Sequence, residues 1–205
     1  MPSLLRVDAS ARVEGSHSRA LGDAFSSAWA AKNPGGSIIL RDLVAEPIPQ
    51  IESCTIAGFY TPANAMNEEL LQATSLSDRL IEELQNSDEL LVTTPMYNFT
   101  IPASLKAWID QIVRIGRTFD YDGSNFTGLV TGKTATIAIA YGAAGYSKGG
   151  ALAAFDLTRP YLQNLLGFLG FVDVRFVTIE ATTGEAGELA VRAEIARRAA
   201  AALAV

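Results

Sequence analysis

Two kinds of hydrophobic pattern alternate along this chain of 205 residues. Short, nearly continuous apolar runs, typical of buried parallel strands, occupy residues 4–8, 37–41, 89–94, 135–140 and 174–179. Longer stretches with a helical spacing of apolar positions occupy residues 19–31, 67–85, 105–115, 156–169 and 185–203. Because strands alternate with helices, we predict an α/β fold with a five-stranded parallel, doubly wound sheet and helices on both faces.

Two segments interrupt this alternation. Residues 44–65 form a proline-containing excursion that is longer than an ordinary connection, and residues 119–131 form a second long loop. A chain of 205 residues is too short for two typical enzyme domains, so we predict a single domain over residues 1–205. The two segments are expected to add walls to a ligand site.

Composition and charge narrow the possible partners. Apolar residues make up 49% of the chain and charged residues 19%, as expected for a globular protein. The net charge of −6 opposes binding to nucleic acid or to an anionic membrane surface, and it favours a small-molecule partner. One cysteine and one histidine provide neither a disulfide nor a zinc site. We therefore expect a cytoplasmic protein that holds no metal and has neither a signal peptide nor a membrane span.

The loop after the first strand carries candidate phosphate-binding groups. In a doubly wound sheet of strand order 2-1-3-4-5, ligands bind beyond the carboxyl ends of strands one and three. The first of these loops offers the hydroxyls of Ser10, Ser16 and Ser18, together with Arg12 and His17, directly before a helix. This arrangement suits a phosphate, although serine also caps helices in ordinary solvated loops. The motif G-x-G-x-x-G is absent, which favours a mononucleotide over a dinucleotide.

The loop after the third strand places apolar, aromatic and amide groups at the same edge of the sheet. These residues are Pro95, Met96, Tyr97, Asn98 and Phe99. Taken singly, such side chains more often pack a loop onto the core, but their coincidence with the switch point favours a planar heteroaromatic ligand. Weaker evidence comes from the loop after the fourth strand, which is rich in small residues that let a ligand approach the backbone. It begins with Ala140, Tyr141, Gly142 and Ala143.

With these motifs in view, the chain resembles the family of FMN-dependent NADH azoreductases and quinone reductases, which has a flavodoxin-like fold. The similarity extends nearly from end to end, and its most specific motif is Pro95-Met96-Tyr97-Asn98-Phe99. The remaining motifs outside the three loops are Arg41-Asp42-Leu43, Pro47-Ile48-Pro49, Gly128-Leu129-Val130-Thr131-Gly132-Lys133, Pro160-Tyr161-Leu162 and Leu166-Gly167-Phe168.

The resemblance implies roles for individual residues. It assigns the FMN phosphate to the loop containing Ser10, Ser16, His17 and Ser18, and it assigns the isoalloxazine ring to residues 95–99 and 140–143. The family often reads Ser-Arg-Gly-Gly at this last segment, whereas Tyr141 stands here where the arginine would be. The family's usual substrate and nucleotide preference is therefore not expected to carry over directly.

The resemblance also implies an activity and an assembly. It predicts ping-pong transfer of two electrons from NADH or NADPH, through bound FMN, to quinones or aromatic azo compounds, with no obligatory catalytic side chain. It further implies a homodimer with active sites at the interface, where Tyr121 and Phe168 are candidates for contacting substrate.

Two other functions are compatible with the same topology. An FMN electron carrier would have no substrate pocket of its own, and the long segments 44–65 and 119–131 favour an enzyme over such a carrier. A phosphoacceptor signalling module would need an aspartate at the end of strand three, where the chain instead has Thr93-Thr94-Pro95.

Overall fold

The computed structural model describes residues 1–147 and 149–204. The strands are β1 (Ser3–Asp8), β2 (Ser37–Asp42), β3 (Glu89–Pro95), β4 (Phe119–Tyr121), β5 (Phe126–Gly128), β6 (Thr134–Ala140) and β7 (Asp173–Ile179). The helices are α1 (His17–Lys32), α2 (Ser53–Tyr60), α3 (Glu68–Asn86), α4 (Ala103–Ile112), α5 (Thr158–Leu169) and α6 (Ala186–Leu203). All five predicted strands and all five predicted helices are present, with boundaries within three residues of those predicted.

The main sheet is parallel and has the order β2-β1-β3-β6-β7. Numbered among the five long strands alone, this is 2-1-3-4-5, so the predicted fold class is confirmed. The register places Asp8 beside both Asp42 and Thr93, and it places Pro95 beside Ala140. The carboxyl ends of β1, β2, β3 and β6 therefore meet along one edge of the sheet.

The sheet is covered on both faces because its strands alternate between two cores. On β1, Leu5 and Val7 belong to a core shared with α3, α4 and α5, whereas Leu4 belongs to a core shared with α1 and α6. The second core pairs bulky side chains of α1, such as Trp29, with small alanines of α6, which allows the two helices to pack closely. No helix within residues 1–147 and 149–204 has the length and apolar character needed to cross a membrane.

Both long segments contain secondary structure that the sequence pattern did not reveal. The segment 44–65 includes helix α2 and a single 3-10 turn at Ala63–Ala65. The segment 119–131 folds into an antiparallel hairpin of β4 and β5, and its turn is closed by the Asp122 carboxylate, which accepts the N–H groups of Ser124 and Asn125. Strands of three residues are too short to show a period of two, so they escape detection from the sequence.

The hairpin packs directly against the end of α5. A Cβ atom on Gly128 would lie 2.3 Å from the backbone nitrogen of Gly170, so only glycine permits this approach. Around the contact, Phe168 lies against Phe119 and Phe126, with ring centroids 4.9 and 5.6 Å apart. The hairpin is therefore a packed part of the fold.

Candidate functional site

A cavity of about 490 Å³ opens where the loops after β1, β3, β6 and β7 meet. This volume lies in the range of roughly 300–1,000 Å³ that is typical of small-molecule sites. The cavity is lined by Ser10, Arg12, Ser16, His17, Ser18, Pro95, Met96, Tyr97, Ala140, Gly142, Thr182 and Thr183. It thus lies at the predicted switch point, beyond the carboxyl ends of β1 and β3.

One end of the cavity is a hydroxyl-lined helix terminus. Ser16 is the N-cap of α1, and its Oγ accepts the backbone N–H of Arg19 at 3.4 Å. The Oγ atoms of Ser16 and Ser18 lie 3.3 Å apart, and Ser10 is buried beside them. The first N–H groups of a helix have no intrahelical acceptor, and they carry the positive end of the helix dipole. Three serine hydroxyls and this helix end make a site suited to an anion.

Positive charge near this end comes mainly from arginine. Arg12 lines the cavity and is exposed. Partial burial, together with the charges of Arg12 and Arg197, lowers the pKa of His17 below its usual value of 6.5. The lowered pKa favours the neutral imidazole, which offers the cavity a hydrogen-bonding group instead of a second fixed charge.

A buried ionic network lies behind the hydroxyl-lined end. Arg19 binds Asp42 through two hydrogen bonds of 2.6 and 2.8 Å, and it contacts Asp8 at 3.3 Å. The Arg19 guanidinium, assisted by the backbone N–H of Val44, lowers the pKa of Asp42 to about 2 in spite of partial burial. Asp8 also accepts the Thr93 hydroxyl at 2.8 Å, so the network ties β1, β2, β3 and α1 together.

The wall after β3 is a tight turn with unusual backbone geometry. Tyr97 and Thr100 exchange two backbone hydrogen bonds of 2.9 and 3.1 Å. The two residues between them, Asn98 and Phe99, have positive φ angles of 49° and 73°. This conformation is strained for a phenylalanine, and such strain persists only where the surroundings fix the backbone. Two contacts of Phe99 hold the turn. Its carbonyl accepts the N–H of Leu157, and its ring packs on the ring of Phe155 with centroids 5.5 Å apart.

The wall after β6 is backed by a turn that follows β7. The N–H and the hydroxyl of Thr182 both donate to the Tyr141 carbonyl, and those of Thr183 both donate to the Gly142 carbonyl. The same turn begins at Ala181, whose φ of 54° is positive and whose N–H donates to the Ala143 carbonyl. The small residues after β6 are therefore held in place by a fourth loop.

The side chain of Tyr141 is buried and does not line the cavity. Its hydroxyl donates to Asp156 at 2.9 Å, and its ring stacks on Tyr146 with centroids 5.2 Å apart. Burial and the neighbouring Asp156 carboxylate raise the pKa of this phenol well above its usual value. Tyr141, which stands where the family often has an arginine, is thus a buried residue that fixes the loop after β6 through its bond to Asp156.

The structure brings most of the predicted site residues together. Nine of them line the cavity: Ser10, Ser16, His17, Ser18, Pro95, Met96, Tyr97, Ala140 and Gly142. Four others belong to the same loops without lining it: Asn98, Phe99, Tyr141 and Ala143.

Two predicted substrate contacts lie outside the cavity wall, and two residues that were not predicted belong to it. Tyr121 and Phe168 belong to the aromatic cluster of the β4–β5 hairpin, in which Tyr121 stacks on Phe126 at 4.6 Å, and neither is part of the cavity wall in the described chain. Sequence reasoning missed the cavity residues Thr182 and Thr183, whereas Arg12 belongs to the loop in which the sequence predicted a phosphate site. The available signal for the threonines was their position just after β7, at the same sheet edge as the other loops.

The described residues contain no group of three or more histidine, cysteine, aspartate or glutamate side chains placed to hold a metal ion. The donors around the cavity are hydroxyls, backbone amides, an imidazole and a guanidinium. These groups suit an organic anion.

Comparison with known proteins places the chain in a family. Residues 2–203 match the family described as having the flavodoxin-like fold. The chain is 57% identical to an FMN-dependent NADH:quinone oxidoreductase of Xanthobacter autotrophicus, with 85% of this chain and 84% of that protein covered. It is 42% identical to a protein of the same name from Nostoc punctiforme, with 86% of each chain covered.

Solved structures show the same relationship. The crystal structure of an azoreductase from Bacillus anthracis superposes with a TM-score of 0.90 at 26% identity and covers 100% of this chain and 99% of its own. The chain belongs to the flavodoxin-like family of FMN-dependent NADH:quinone oxidoreductases and azoreductases, as its sequence motifs predicted.

Proposed function

We propose that this protein binds FMN in the 490 Å³ cavity and transfers two electrons from NADH or NADPH to quinones and aromatic azo compounds. The observation that carries this proposal is the meeting of two unlike walls in one cavity. One wall presents serine hydroxyls at a helix N-terminus, and the other presents Met96 and Tyr97 on a fixed turn. The names of the relatives, FMN-dependent NADH:quinone oxidoreductase and azoreductase, support the same assignment.

The residues present fit FMN. Ser10, Ser16 and Ser18 are buried residues at the anion-binding end, and their hydroxyls can donate hydrogen bonds to the oxygens of a phosphate. The wall of Pro95, Met96 and Tyr97 offers flat and polarisable surface for an isoalloxazine ring. Ala140 and Gly142 have no side chain beyond Cβ, which leaves room for the ring to approach the backbone.

The protein's own contribution is binding and orientation. FMN, when bound, supplies the two-electron redox chemistry, so no side chain is required as an obligatory acid or base. The serine loop would hold the phosphate, and Met96 and Tyr97 in the opposite wall would contact the ring. The contacts of Phe99 with Leu157 and Phe155 hold the Tyr97–Thr100 turn in one conformation, which would orient the ring for stacking of a second planar molecule.

The electron donor, NADH or NADPH, and the electron acceptor are proposed to bind one after the other at the same open side of the cavity. The oxidised nucleotide leaves before the quinone or azo compound enters, which is a ping-pong mechanism. We also propose a cytoplasmic homodimer with active sites at the interface. The exposed aromatic rings of Tyr121 and Phe126 on the β4–β5 hairpin support such an interface, because they are apolar surface without cover in one chain.

The proposal is tested first by absorption spectroscopy of the purified protein. Bound oxidised flavin gives maxima at about 370 and 450 nm. The same preparation, supplied with NADH and the quinone menadione, is expected to oxidise NADH continuously, and initial rates at several fixed menadione concentrations should give parallel double-reciprocal lines. A colourless protein that does not take up added FMN would contradict the cofactor assignment. Flavin binding without sustained NADH oxidation would instead indicate an electron carrier.

A further inference from the structure

A single arginine holds both ends of the loop between β1 and α1. The Arg19 guanidinium donates to the carbonyl of Ser10 at 3.0 Å, and the Arg19 backbone N–H donates to the hydroxyl oxygen of Ser16 at 3.4 Å. Ser10 and Ser16 line the cavity, whereas Arg19 lies behind the loop and is not part of the wall. Arg19 can therefore influence a ligand only through the serines that it holds.

The guanidinium is itself fixed from two sides. Asp42, at the end of β2, binds it through both carboxylate oxygens, and Asp8, at the end of β1, contacts it at 3.3 Å. Asp8 is fixed in turn by Arg6 at 2.9 Å and by the Thr93 hydroxyl at 2.8 Å. Only 11% of the Arg19 side chain is exposed. Through Arg19, the loop is thus anchored to the carboxyl ends of β1, β2 and β3.

The chemistry of this position requires an arginine. The planar guanidinium holds its donors in a fixed fork, and the two terminal nitrogens of Arg19 bind Asp42, Asp8 and the Ser10 carbonyl at once. A lysine would keep the positive charge but has a single nitrogen, which cannot replace both Nη1, bound to Asp42 and Asp8, and Nη2, bound to Asp42 and the Ser10 carbonyl. The two carboxylates balance the charges of Arg19 and Arg6, so the effect of Arg19 on an anion is geometric and not mainly electrostatic.

We propose that Arg19 is the positioning residue for the anion-binding loop, and that it sets the spacing of the Ser10 and Ser16 groups that hold the FMN phosphate. This inference rests on the proposed function. It implies that Arg19 controls the affinity for the phosphate of FMN separately from the affinity for the flavin ring. The ratio of the FMN and riboflavin dissociation constants measures this directly, because riboflavin has the same ring and ribityl chain but lacks the phosphate.

The test compares Arg19→Lys with Arg41→Lys. Arg41 is a matched control, because it also lies at the sheet edge, is mostly buried, and pairs with two carboxylates, those of Glu83 and Glu46, yet it does not line or brace the cavity. Quenching of flavin fluorescence gives both dissociation constants for each variant, and thermal unfolding of the flavin-free proteins reports stability. Arg19→Lys is expected to weaken FMN binding about tenfold, the effect of one impaired hydrogen bond to a charged group, with riboflavin changed less than about twofold. Arg41→Lys should leave the ratio unchanged even where it lowers the unfolding temperature.

An unchanged ratio in folded Arg19→Lys would overturn the proposal, as would an equal change in Arg41→Lys. If Arg19→Lys does not fold, Asp42→Asn provides the test, because it weakens the ion pair that fixes Arg19 while Arg19 keeps its bond to the Ser10 carbonyl. The ratio of the FMN and riboflavin dissociation constants should then shift in the same direction by a smaller factor. A flat ratio in that variant would then be contrary evidence. If the unmodified protein binds neither flavin, the cofactor assignment fails and not the role of Arg19.

Discussion

The partly buried Asp42 carboxylate should give this protein a measurable acid sensitivity. Its pKa is lowered from an ordinary value of 3.8 to about 2, mainly by the two hydrogen bonds from Arg19. Since one unit of pKa shift is worth about 1.4 kcal/mol, the lowering of the Asp42 pKa corresponds to about 2.5 kcal/mol of folding free energy. Because the pKa is lower in the folded than in the unfolded chain, this stabilisation is complete well above pH 3.8 and is lost as the pH falls toward 2.

Asp42→Asn is the perturbation that isolates this contribution. Urea unfolding of the flavin-free protein and of the variant at several pH values between 7 and 2 gives the difference in unfolding free energy between them. The difference should be largest near neutral pH and should shrink by about 2 kcal/mol between pH 5 and pH 2. Asp23→Asn serves as the control, because Asp23 also pairs with a buried arginine but is 69% exposed, and its variant should differ from the unmodified protein by less than about 1 kcal/mol throughout. A difference for Asp42→Asn that stays constant down to pH 2 would refute the reasoning.

Three further variants test other parts of the structure. Ser16→Ala removes the N-cap of α1 and one cavity hydroxyl, so it should lower the unfolding free energy by about 1 kcal/mol and also weaken FMN binding, measured by chemical denaturation and by flavin fluorescence. Gly128→Ala forces a Cβ against the backbone of Gly170 and should destabilise the protein by about 2 kcal/mol or more; a melting temperature equal to that of the unmodified protein would contradict the observed contact. Tyr141→Phe removes the bond to Asp156 and should cost about 1–2 kcal/mol of stability while leaving the bound-flavin spectrum unchanged, since the ring lies outside the cavity.

Much of the fold and of the cavity could be predicted from the sequence because the information is local. Each long strand is a mainly apolar run, and parallel strands bring their carboxyl ends together, so the loops after β1 and β3 had to be neighbours. The serines of the first loop and residues 95–97 were identified in this way.

What escaped prediction depends on contacts between distant parts of the chain. Tyr141 is turned away from the cavity by Asp156, fifteen residues later. Thr182 and Thr183 reach the cavity because their turn bonds to carbonyls some forty residues earlier. The β4–β5 hairpin packs closely on the end of α5 because Gly128 fits against Gly170. None of these contacts leaves a periodic signal in the sequence.

The ion pair within β1 also bears on how the strand finds its place during folding. Arg6 and Asp8 lie on the α1 side of the strand, whereas Leu5 and Val7 lie on the opposite side. Sliding β1 by one residue between β2 and β3 would exchange the two sides and bury both charges among leucines and isoleucines, far from Arg19 and Thr93. Misaligned sheets are therefore penalised by charge burial as well as by poor packing, and the groups that brace the anion-binding loop also select the correct strand alignment.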